Sequence, residues 1–347
     1  MNQRPTAFFQ SLPKIELHRH LEGSVRMSTL VDVGRAYHLD LPGGEDLHRS
    51  VQISSEDPLT SQNFLSKFDV LRKFYRSPEV IERISEEAVA DAAADNVRHL
   101  ELRFTPVALG KAQGFPLGEV MDWVIEGVKK AQAKNAISIC LIASINRHES
   151  VEIAAQVAAL AAERRDSGIA GLDLAGDEAR FPAAPFQPLL REARQSGLHL
   201  TIHAGEWGPA ENVIQAISDL DAERIGHGVR VMDDPQAVTL AREMGTPFEV
   251  CLTSNYQSGV VNSIEHHPIG AMIQAGLNTT INTDDPTISQ ISLSSEYALF
   301  CNNNKQTLQN LRDQVATAAK AAFLPKEERE KLIVSLNREF EELISSH

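Results

Sequence analysis

The feature that most constrains the fold of this chain is a regular alternation of short apolar runs with amphipathic helical patterns. Each apolar run is short enough to be a buried strand. The eight runs cover residues 15–17, 99–104, 138–143, 170–174, 198–202, 224–225, 247–252 and 277–281. Residues 117–128 show the clearest helical pattern, with apolar side chains at i, i+3, i+4 and i+7. Strands that alternate with helices in this way indicate a parallel sheet.

Eight strands and about 250 core residues favour an α/β fold, the (β/α)₈ TIM barrel. We expect the whole chain, residues 1–347, to form one such domain. The first two predicted strands are much farther apart in sequence than later neighbours, so extra structure must follow strand one. Residues 63–75 predict an amphipathic helix there, which we interpret as part of a lid. The tail from Lys305 predicts further helices, interrupted at Pro325.

Charge and cysteine content limit the function classes. The formal net charge is −14, which disfavours nucleic acid as a partner because phosphate-binding surfaces need clustered Lys and Arg. Three scattered cysteines without a CxxC pair suggest a reducing compartment. No secretory signal is evident, and the longest apolar run, 137–145, is too short to cross a membrane. These features predict a cytoplasmic protein with a small-molecule substrate and no membrane contact; they leave its oligomeric state undetermined.

Polar residues cluster where the predicted strands end. These segments are HRHLEG (18–23), DLAGDE (173–178), HAGE (203–206), GHG (226–228) and NTDDP (282–286). In a barrel of this type, the carboxyl ends of the strands converge on one mouth, where the reaction chemistry takes place. Residues that are very distant in sequence are therefore expected to meet there.

The His18–x–His20 pair has a specific geometric meaning, because alternate side chains of a strand point the same way and two imidazoles can hold one metal ion. A nitrogen of His203 and a carboxylate oxygen of Asp284 would complete a site suited to zinc, although iron(II), cobalt or nickel could also occupy it. Taken singly, each residue has a simpler explanation. The HxH can be incidental, His203 can be a core histidine, and Asp284 can belong to a turn or a helix cap. Their joint placement favours a metal site.

Together, the motifs at the strand ends resemble those of a known protein family. The motifs ELHRHLEG, DLAGDE, HAGE, RIGHG and NTDDP, in this order, resemble the adenosine/adenine deaminase family of the amidohydrolase-type barrels. The similarity extends through ELRFTP (101–106), CLTSN (251–255) and the predicted lid helix, so it spans nearly the whole chain. The HxE…PCxxC pattern of the cytidine-type zinc deaminases is missing from the sequence.

The resemblance implies one zinc ion per chain, with His18, His20, His203 and Asp284 as ligands. It implies that Glu206 protonates the purine ring nitrogen N1, and that His227 orients and deprotonates the water on zinc. Asp285 would hydrogen-bond ring N7, and the Gly176 N–H would bind N3. His20 and Glu22 are also expected to contact the substrate.

Elementary chemistry agrees with these roles. Ammonia is a poor leaving group, so the ring must be made electrophilic and a strong nucleophile must exist near neutral pH. Zinc lowers the pKa of a bound water from 15.7 to about 7. Glu206 must act as a carboxylic acid, a state that burial favours. Asp285 would also carry a proton, unlike its neighbour Asp284, and such a separation of pKa values is typical of active sites.

The identity of the substrate is less constrained. The family's nucleoside deaminases usually carry Asp where this chain has Glu22, a departure that resembles some free-base deaminases. The HRHLEGSVR segment and the turn at Ser254–Ser258 nevertheless resemble the nucleoside branch, so we favour adenosine and 2′-deoxyadenosine over adenine or another 6-aminopurine nucleoside. Two further alternatives are a catalytically inactive purine-binding barrel and a two-metal hydrolase. The latter commonly needs a bridging Lys, and strand four ends without one.

Overall fold

Eight parallel strands form the centre of the computed structural model, which describes residues 4–345. They are β1 (Lys14–His20), β2 (Val97–Phe104), β3 (Ser138–Asn146), β4 (Ile169–Ala175), β5 (His199–His203), β6 (Arg224–Gly226), β7 (Pro247–Val250) and β8 (Asn278–Ile281). Each strand pairs with the next in chain order. The predicted (β/α)₈ TIM barrel is confirmed.

The barrel closes between the ends of β1 and β8. The His20 N–H donates to the Asp284 carbonyl at 2.8 Å, and the Asp284 N–H donates to the His18 carbonyl at 2.9 Å. At the same junction between β1 and β8, the Asn282 side chain accepts the Leu17 N–H at 2.8 Å. Barrel closure therefore joins the HxH segment directly to the NTDDP segment.

Helices surround the barrel. Within the described residues they are α1 (Thr6–Ser11), α2 (Met27–Ala36), α3 (Glu45–Val51), α4 (Ser61–Leu71), α5 (Pro78–Ala94), α6 (Pro106–Lys111), α7 (Leu117–Gln132), α8 (Val151–Glu163), α9 (Gln187–Gln195), α10 (Ala210–Ser218), α11 (Pro235–Met244), α12 (Leu252–Gln257), α13 (Ile269–Gln274), α14 (Pro286–Ser289), α15 (Leu293–Asn302), α16 (Leu308–Ala321) and α17 (Lys326–Ser345). Helices α2 to α5 fill the long interval between β1 and β2, as expected. No described helix is long and apolar enough to cross a membrane.

Most strand boundaries shift by one to three residues from their predictions, and at the end of β7 the predicted strand gives way to a helix. The seventh apolar run, 247–252, was expected to be strand throughout, but β7 ends at Val250 and Leu252 begins α12. The Asn255 N–H donates to the Cys251 carbonyl at 2.9 Å, so the chain enters a helical turn as soon as it leaves the sheet. The apolar run continues across this boundary because both sides of it are buried.

The interior of the barrel is polar although the sequences of its strands are mostly apolar. In β2, Leu100 and Leu102 alternate with Glu101 and Arg103, and all four are buried. Period-two alternation places the charged pair on the opposite side of the strand from the leucines. At the base of the barrel, the ring of Phe323, which follows α16, lies 3.5 Å below the Arg224 guanidinium. The segment that follows α16 therefore packs against the base of the barrel.

Candidate active site

A cavity opens at the carboxyl ends of the strands, with about 670 Å³ of space that includes the solvent at its mouth. Its wall combines strand-end residues with three apolar side chains of α4, Phe64, Leu65 and Phe68. Thr60 caps the start of α4 by accepting the Asn63 N–H at 3.2 Å. The helix that the sequence predicts as a lid thus covers part of the mouth.

Two imidazoles of β1 point toward this cavity's floor. His18 Nδ1 lies 2.8 Å from Glu249 Oε2, which leaves Nε2 as the free nitrogen. That Nε2 is buried and makes no hydrogen bond to the described part of the chain, but it lies 3.2 Å from Asp284 Oδ1. His20 Nε2 lies 3.3 Å from the same oxygen. Burial lowers the pKa of His20 to about 3, so its imidazole is neutral.

The end of β5 supplies the third imidazole. His203 Nδ1 lies 2.8 Å from Asp173 Oδ1, so Nε2 is again the free nitrogen. One potential ligand atom from each of His18, His20 and His203 lies within 4.8 Å of the others. Three imidazole nitrogens in such proximity can hold a metal ion.

The carboxylate of the group is Asp284, just beyond β8. Its backbone φ of 65° is left-handed, a conformation that non-glycine residues rarely adopt outside functional sites. Its Oδ2 accepts the Ser254 hydroxyl at 2.7 Å, which leaves Oδ1 toward the imidazoles. Burial alone would raise the pKa of Asp284, but the close contact with His18 and the surrounding imidazoles hold it well below its usual value.

Beneath these residues lies Arg103, whose side chain is completely buried. Its Nη2 donates to Glu249 Oε2 at 2.7 Å, and its Nη1 lies 3.3 Å from Asp173 Oδ2. One guanidinium therefore joins the two carboxylates that orient His18 and His203. Partners of this kind fix the orientation of metal-binding imidazoles.

Buried carboxylates surround the site. The guanidiniums of Arg103 and Arg224 face four carboxyl groups whose pKa values all lie below the usual range, Glu101, Asp173, Glu249 and Asp284. Burial opposes each of these shifts, and the neighbouring cationic and imidazole groups outweigh it. These four groups are therefore held in the ionised form.

Cys251 is a further potential metal-binding group near the site. Its sulfur lies within 4.8 Å of ligand atoms of His18 and His227. However, burial raises the pKa of the Cys251 thiol well above its usual value. The thiolate is the form that binds metal, so this cysteine is a poor ligand.

Glu206 lies on the turn that follows β5. Glu178 shapes this turn by accepting the backbone N–H groups of Gly205, Glu206 and Trp207 at 2.9, 2.6 and 2.8 Å. Burial raises the pKa of Glu206 well above its usual value, and the negative charges of Asp284 and Glu178 add to this effect. The side chain is therefore a neutral carboxylic acid that can donate a proton.

His227 follows β6 and also has a left-handed backbone, with φ of 57°. Its Nε2 lies 3.7 Å from Glu206 Oε2 and 3.9 Å from Asp284 Oδ2. Its Nδ1 faces Asn255 Nδ2 at 3.1 Å. Burial lowers the pKa of His227 well below its usual value, so the ring is neutral.

Asp285 and Glu22 complete the acidic side of the cavity. Burial, reinforced by Asp284 and Glu22, raises the pKa of Asp285 well above its usual value, and its Oδ1 makes no hydrogen bond to the described residues. Glu22 Oε1 accepts the Thr105 N–H at 2.7 Å, while its Oε2 is similarly unpaired. Gly176 lies across the cavity with φ of 94°, a conformation suited to glycine.

Comparison with known proteins identifies the family. The family model described as Adenosine deaminase matches residues 13–339. The chain belongs to the adenosine deaminase family. A relative named adenosine deaminase from Erwinia tasmaniensis is 36% identical over 92% of this chain and 96% of its own length. One of the same name from Clostridium botulinum is 35% identical over 93% and 97%. As a member of this family, the chain is a deaminating hydrolase.

Solved structures of similar proteins share the barrel. A Burkholderia ambifaria amidohydrolase with bound Zn is 28% identical, with a TM-score of 0.90 over 98% of this chain and 94% of that one. Arabidopsis ADAL complexed with IMP is 30% identical, with a TM-score of 0.86 over 95% and 98%. Arthrobacter aurescens adenine deaminase is 25% identical, with a TM-score of 0.87 over 94% and 98%. The neighbours of this deaminase thus include a zinc protein and a purine nucleotide complex.

Several residues of the deaminase site were not singled out from the sequence. Asp173 and Glu178 belong to the quoted DLAGDE motif, but their roles as partners of His203 and of the 205–207 turn depend on packing. Glu249 and Arg103 lie inside predicted strands. The signal that could have found them is a charged residue within an apolar strand, because such a residue must be paired when buried.

Proposed function

We propose that this protein is a zinc-dependent adenosine deaminase, which hydrolyses adenosine and 2′-deoxyadenosine to inosine or deoxyinosine and ammonia. The observation that carries the proposal is the convergence of three imidazoles and the Asp284 carboxylate beside Glu206, a carboxyl group whose pKa is raised by burial. A cation site next to a carboxylic acid is what hydrolytic removal of an aromatic amino group requires.

The residues present fit one zinc ion. Ligand atoms that stand about 2.1 Å from a tetrahedral zinc ion are about 3.4 Å apart, close to the 3.2 and 3.3 Å that separate Asp284 Oδ1 from His18 Nε2 and His20 Nε2. The buried His18 Nε2, which has no hydrogen-bond partner among the described residues, supports the same assignment. His18, His20, His203 and Asp284 would hold the ion, and bound zinc would supply a nucleophilic oxygen near neutral pH.

The remaining residues would act on the purine. Glu206 would deliver its proton to N1, which makes C6 electrophilic. Asp285, protonated and without a hydrogen-bond partner on Oδ1, would donate to N7, and the Gly176 N–H would bind N3. His227, beside Glu206 and Asp284, would orient the attacking oxygen.

The nucleoside substrate rests on the curated relatives, which are named adenosine deaminase over nearly the full chain. Adenine is the second candidate, because Glu22 departs from the Asp usual in nucleoside deaminases and an adenine deaminase is among the structural neighbours. Glu22 Oε2 has no hydrogen-bond partner among the described residues and would receive a ribose hydroxyl. We further propose a cytoplasmic location, in keeping with three free cysteines.

The direct test incubates the zinc-loaded protein with adenosine, 2′-deoxyadenosine, adenine and AMP, and follows the ultraviolet shift and ammonia release. Highest kcat/KM for the two nucleosides supports the proposal, and a preference for adenine favours the second candidate. Lack of turnover with every 6-aminopurine would leave an inactive purine-binding barrel as the better description.

The assignment of the acid is tested by Glu206→Gln. The amide keeps the shape of the side chain and cannot deliver a proton, so kcat should fall at least about 10²-fold, while zinc content measured by elemental analysis stays at one per chain. Near-normal turnover would show that another group protonates N1.

A further inference from the structure

A line of hydrogen bonds runs from the backbone of α13 to the ring of His227. The Ile269 N–H donates to His267 Nδ1 at 3.1 Å. His267 Nε2 lies 3.2 Å from Asn255 Oδ1, and Asn255 Nδ2 lies 3.1 Å from His227 Nδ1. His267, Asn255 and His227 are all buried. We call this line the His267–Asn255 relay.

The polarity of the relay is determined at its backbone end. An amide N–H can only donate, so His267 Nδ1 must accept and the ring hydrogen of neutral His267 must be on Nε2. That Nε2–H then donates to an oxygen of Asn255. The opposite orientation of the Asn255 amide would place two donors against each other and is excluded. Burial lowers the pKa of His267 to about 3, in agreement with a neutral ring.

The same argument determines the position of the ring hydrogen of His227. With its oxygen engaged by His267, Asn255 presents its NH₂ group to His227 Nδ1, which must accept. The hydrogen of the neutral His227 ring is therefore on Nε2, the nitrogen that faces Glu206 and Asp284. At that position a lone pair would be needed to remove a proton from water.

We propose that the His267–Asn255 relay fixes His227 as a hydrogen-bond donor to the attacking oxygen and prevents it from acting as the base. Asn255 and His267 are positioning residues in this account. His227 Nε2–H would orient the attacking oxygen and stabilise negative charge on it. This departs from the proton-removing role that the family resemblance implies, and it rests on the proposed function only for the identity of that oxygen.

The ring hydrogen can be located without any assay of activity. In protein labelled with ¹⁵N-histidine, the shifts of the two ring nitrogens report which one carries the hydrogen. The His227 signals are assigned by their loss in His227→Gln. We expect His227 as the Nε2–H form at pH 7, in both metal-free and zinc-loaded protein. The Nδ1–H form would overturn the proposal.

Asn255→Asp reverses the relay, because a carboxylate can only accept. His227 should then move to the Nδ1–H form, and kcat should fall at least about 10²-fold, since a wrong histidine tautomer is costly in catalysis. A variant that carries Nδ1–H and keeps wild-type kcat would show that His227 is not a donor, while the deaminase assignment would stand. If the wild-type protein turned over no 6-aminopurine, the proposed function would fail and the NMR result would still decide the tautomer.

Adjacent histidines provide a matched control. His267→Phe removes the anchor of the relay, so His227 should show both tautomers and kcat should fall severalfold or more. His266→Phe alters an exposed ring whose one side-chain hydrogen bond within residues 4–345 is to Ser263, and should leave tautomer and kcat unchanged. Equal effects of the two substitutions would contradict a specific role for His267.

Discussion

At the scale of single residues, Gly23 is placed where only a hydrogen atom fits. A Cβ built on Gly23 would lie 1.8 Å from Asp285 Oδ1, far inside contact distance. Gly23→Ala should therefore displace the Asp285 carboxyl, which we assign to ring N7, and lower kcat/KM at least about tenfold, or about 1.4 kcal/mol. Steady-state kinetics with adenosine measure this, with zinc content expected to stay at one per chain.

The control for this substitution is another glycine of the same segment of chain. A Cβ on Gly43 would meet nothing within 4 Å, so Gly43→Ala should leave kcat/KM unchanged. If Gly23→Ala retains wild-type kcat/KM, Asp285 either moves without consequence or has no part in catalysis. Thermal unfolding of both variants separates this local effect from a general loss of stability.

Residues of the candidate site were predictable where strand geometry alone brings them together. His18 and His20 share a strand face, and the ends of β5 and β8 must meet them at the mouth of a closed barrel. The partners of these residues were not predictable. Asn255 and His267 belong to α12 and to the loop before α13, and only the packing of those segments places both amide and imidazole behind His227.

At the scale of elements, α4 forms an apolar wall of the cavity and is anchored to residues that precede it in the chain. Lys67, on its buried side, donates to the Arg49 carbonyl at 2.8 Å and pairs with Asp57 at 3.2 Å. Phe68 lines the cavity. Phe68→Ala should raise the KM for adenosine about tenfold with little change in kcat, because it removes apolar contact that the ground and transition states share.

Val70, on the same helix, is partly buried but lies outside the cavity wall. Val70→Ala should therefore leave KM unchanged, although it removes apolar surface of the same helix. If Phe68→Ala lowers kcat and leaves KM unchanged, α4 acts on the chemical step rather than on substrate binding.

The number and order of the strands, and their alternation with helices, were predictable because hydrophobic periodicity reports burial. The pattern at 117–128 became α7, and the break at Pro325 falls between α16 and α17. Boundaries were less predictable, as the shared burial of β7 and α12 shows. The polar interior of the barrel was not predicted either, since Glu101 and Arg103 count as exceptions within a strand that otherwise reads as apolar.

At the scale of the whole molecule, buried carboxyl groups act on stability in opposite directions. Those with lowered pKa values, such as Glu249, add stability above the pKa of the unfolded chain and lose it as the pH falls. Carboxyl groups with raised pKa values make the protein less stable as the pH rises above the pKa that the same group has in the unfolded chain. Glu296 of α15 belongs to the second group, because burial raises its pKa from 4.5 to about 7.

Glu296 bonds to α12, where it accepts the Thr253 N–H at 3.0 Å and pairs with the Thr253 hydroxyl. A glutamine can make the same two bonds as the protonated acid, so Glu296→Gln mimics the low-pH form at every pH. Near pH 4.5 the variant and wild type should be equally stable. Between about pH 4.5 and 7 the variant should gain progressively, up to about 3 kcal/mol above pH 7.

Urea unfolding of the two proteins from pH 4.5 to 8.5 measures this difference directly, and Glu243→Gln, at an exposed position of α11, serves as the control. The difference between Glu296→Gln and wild type must grow with pH while the unfolded chain ionises at this position and the folded molecule does not, and it must level off above pH 7, where Glu296 ionises in both states. A difference that is constant across this range, or that shrinks as the pH rises, would mean that the pKa of Glu296 is not raised in the folded molecule.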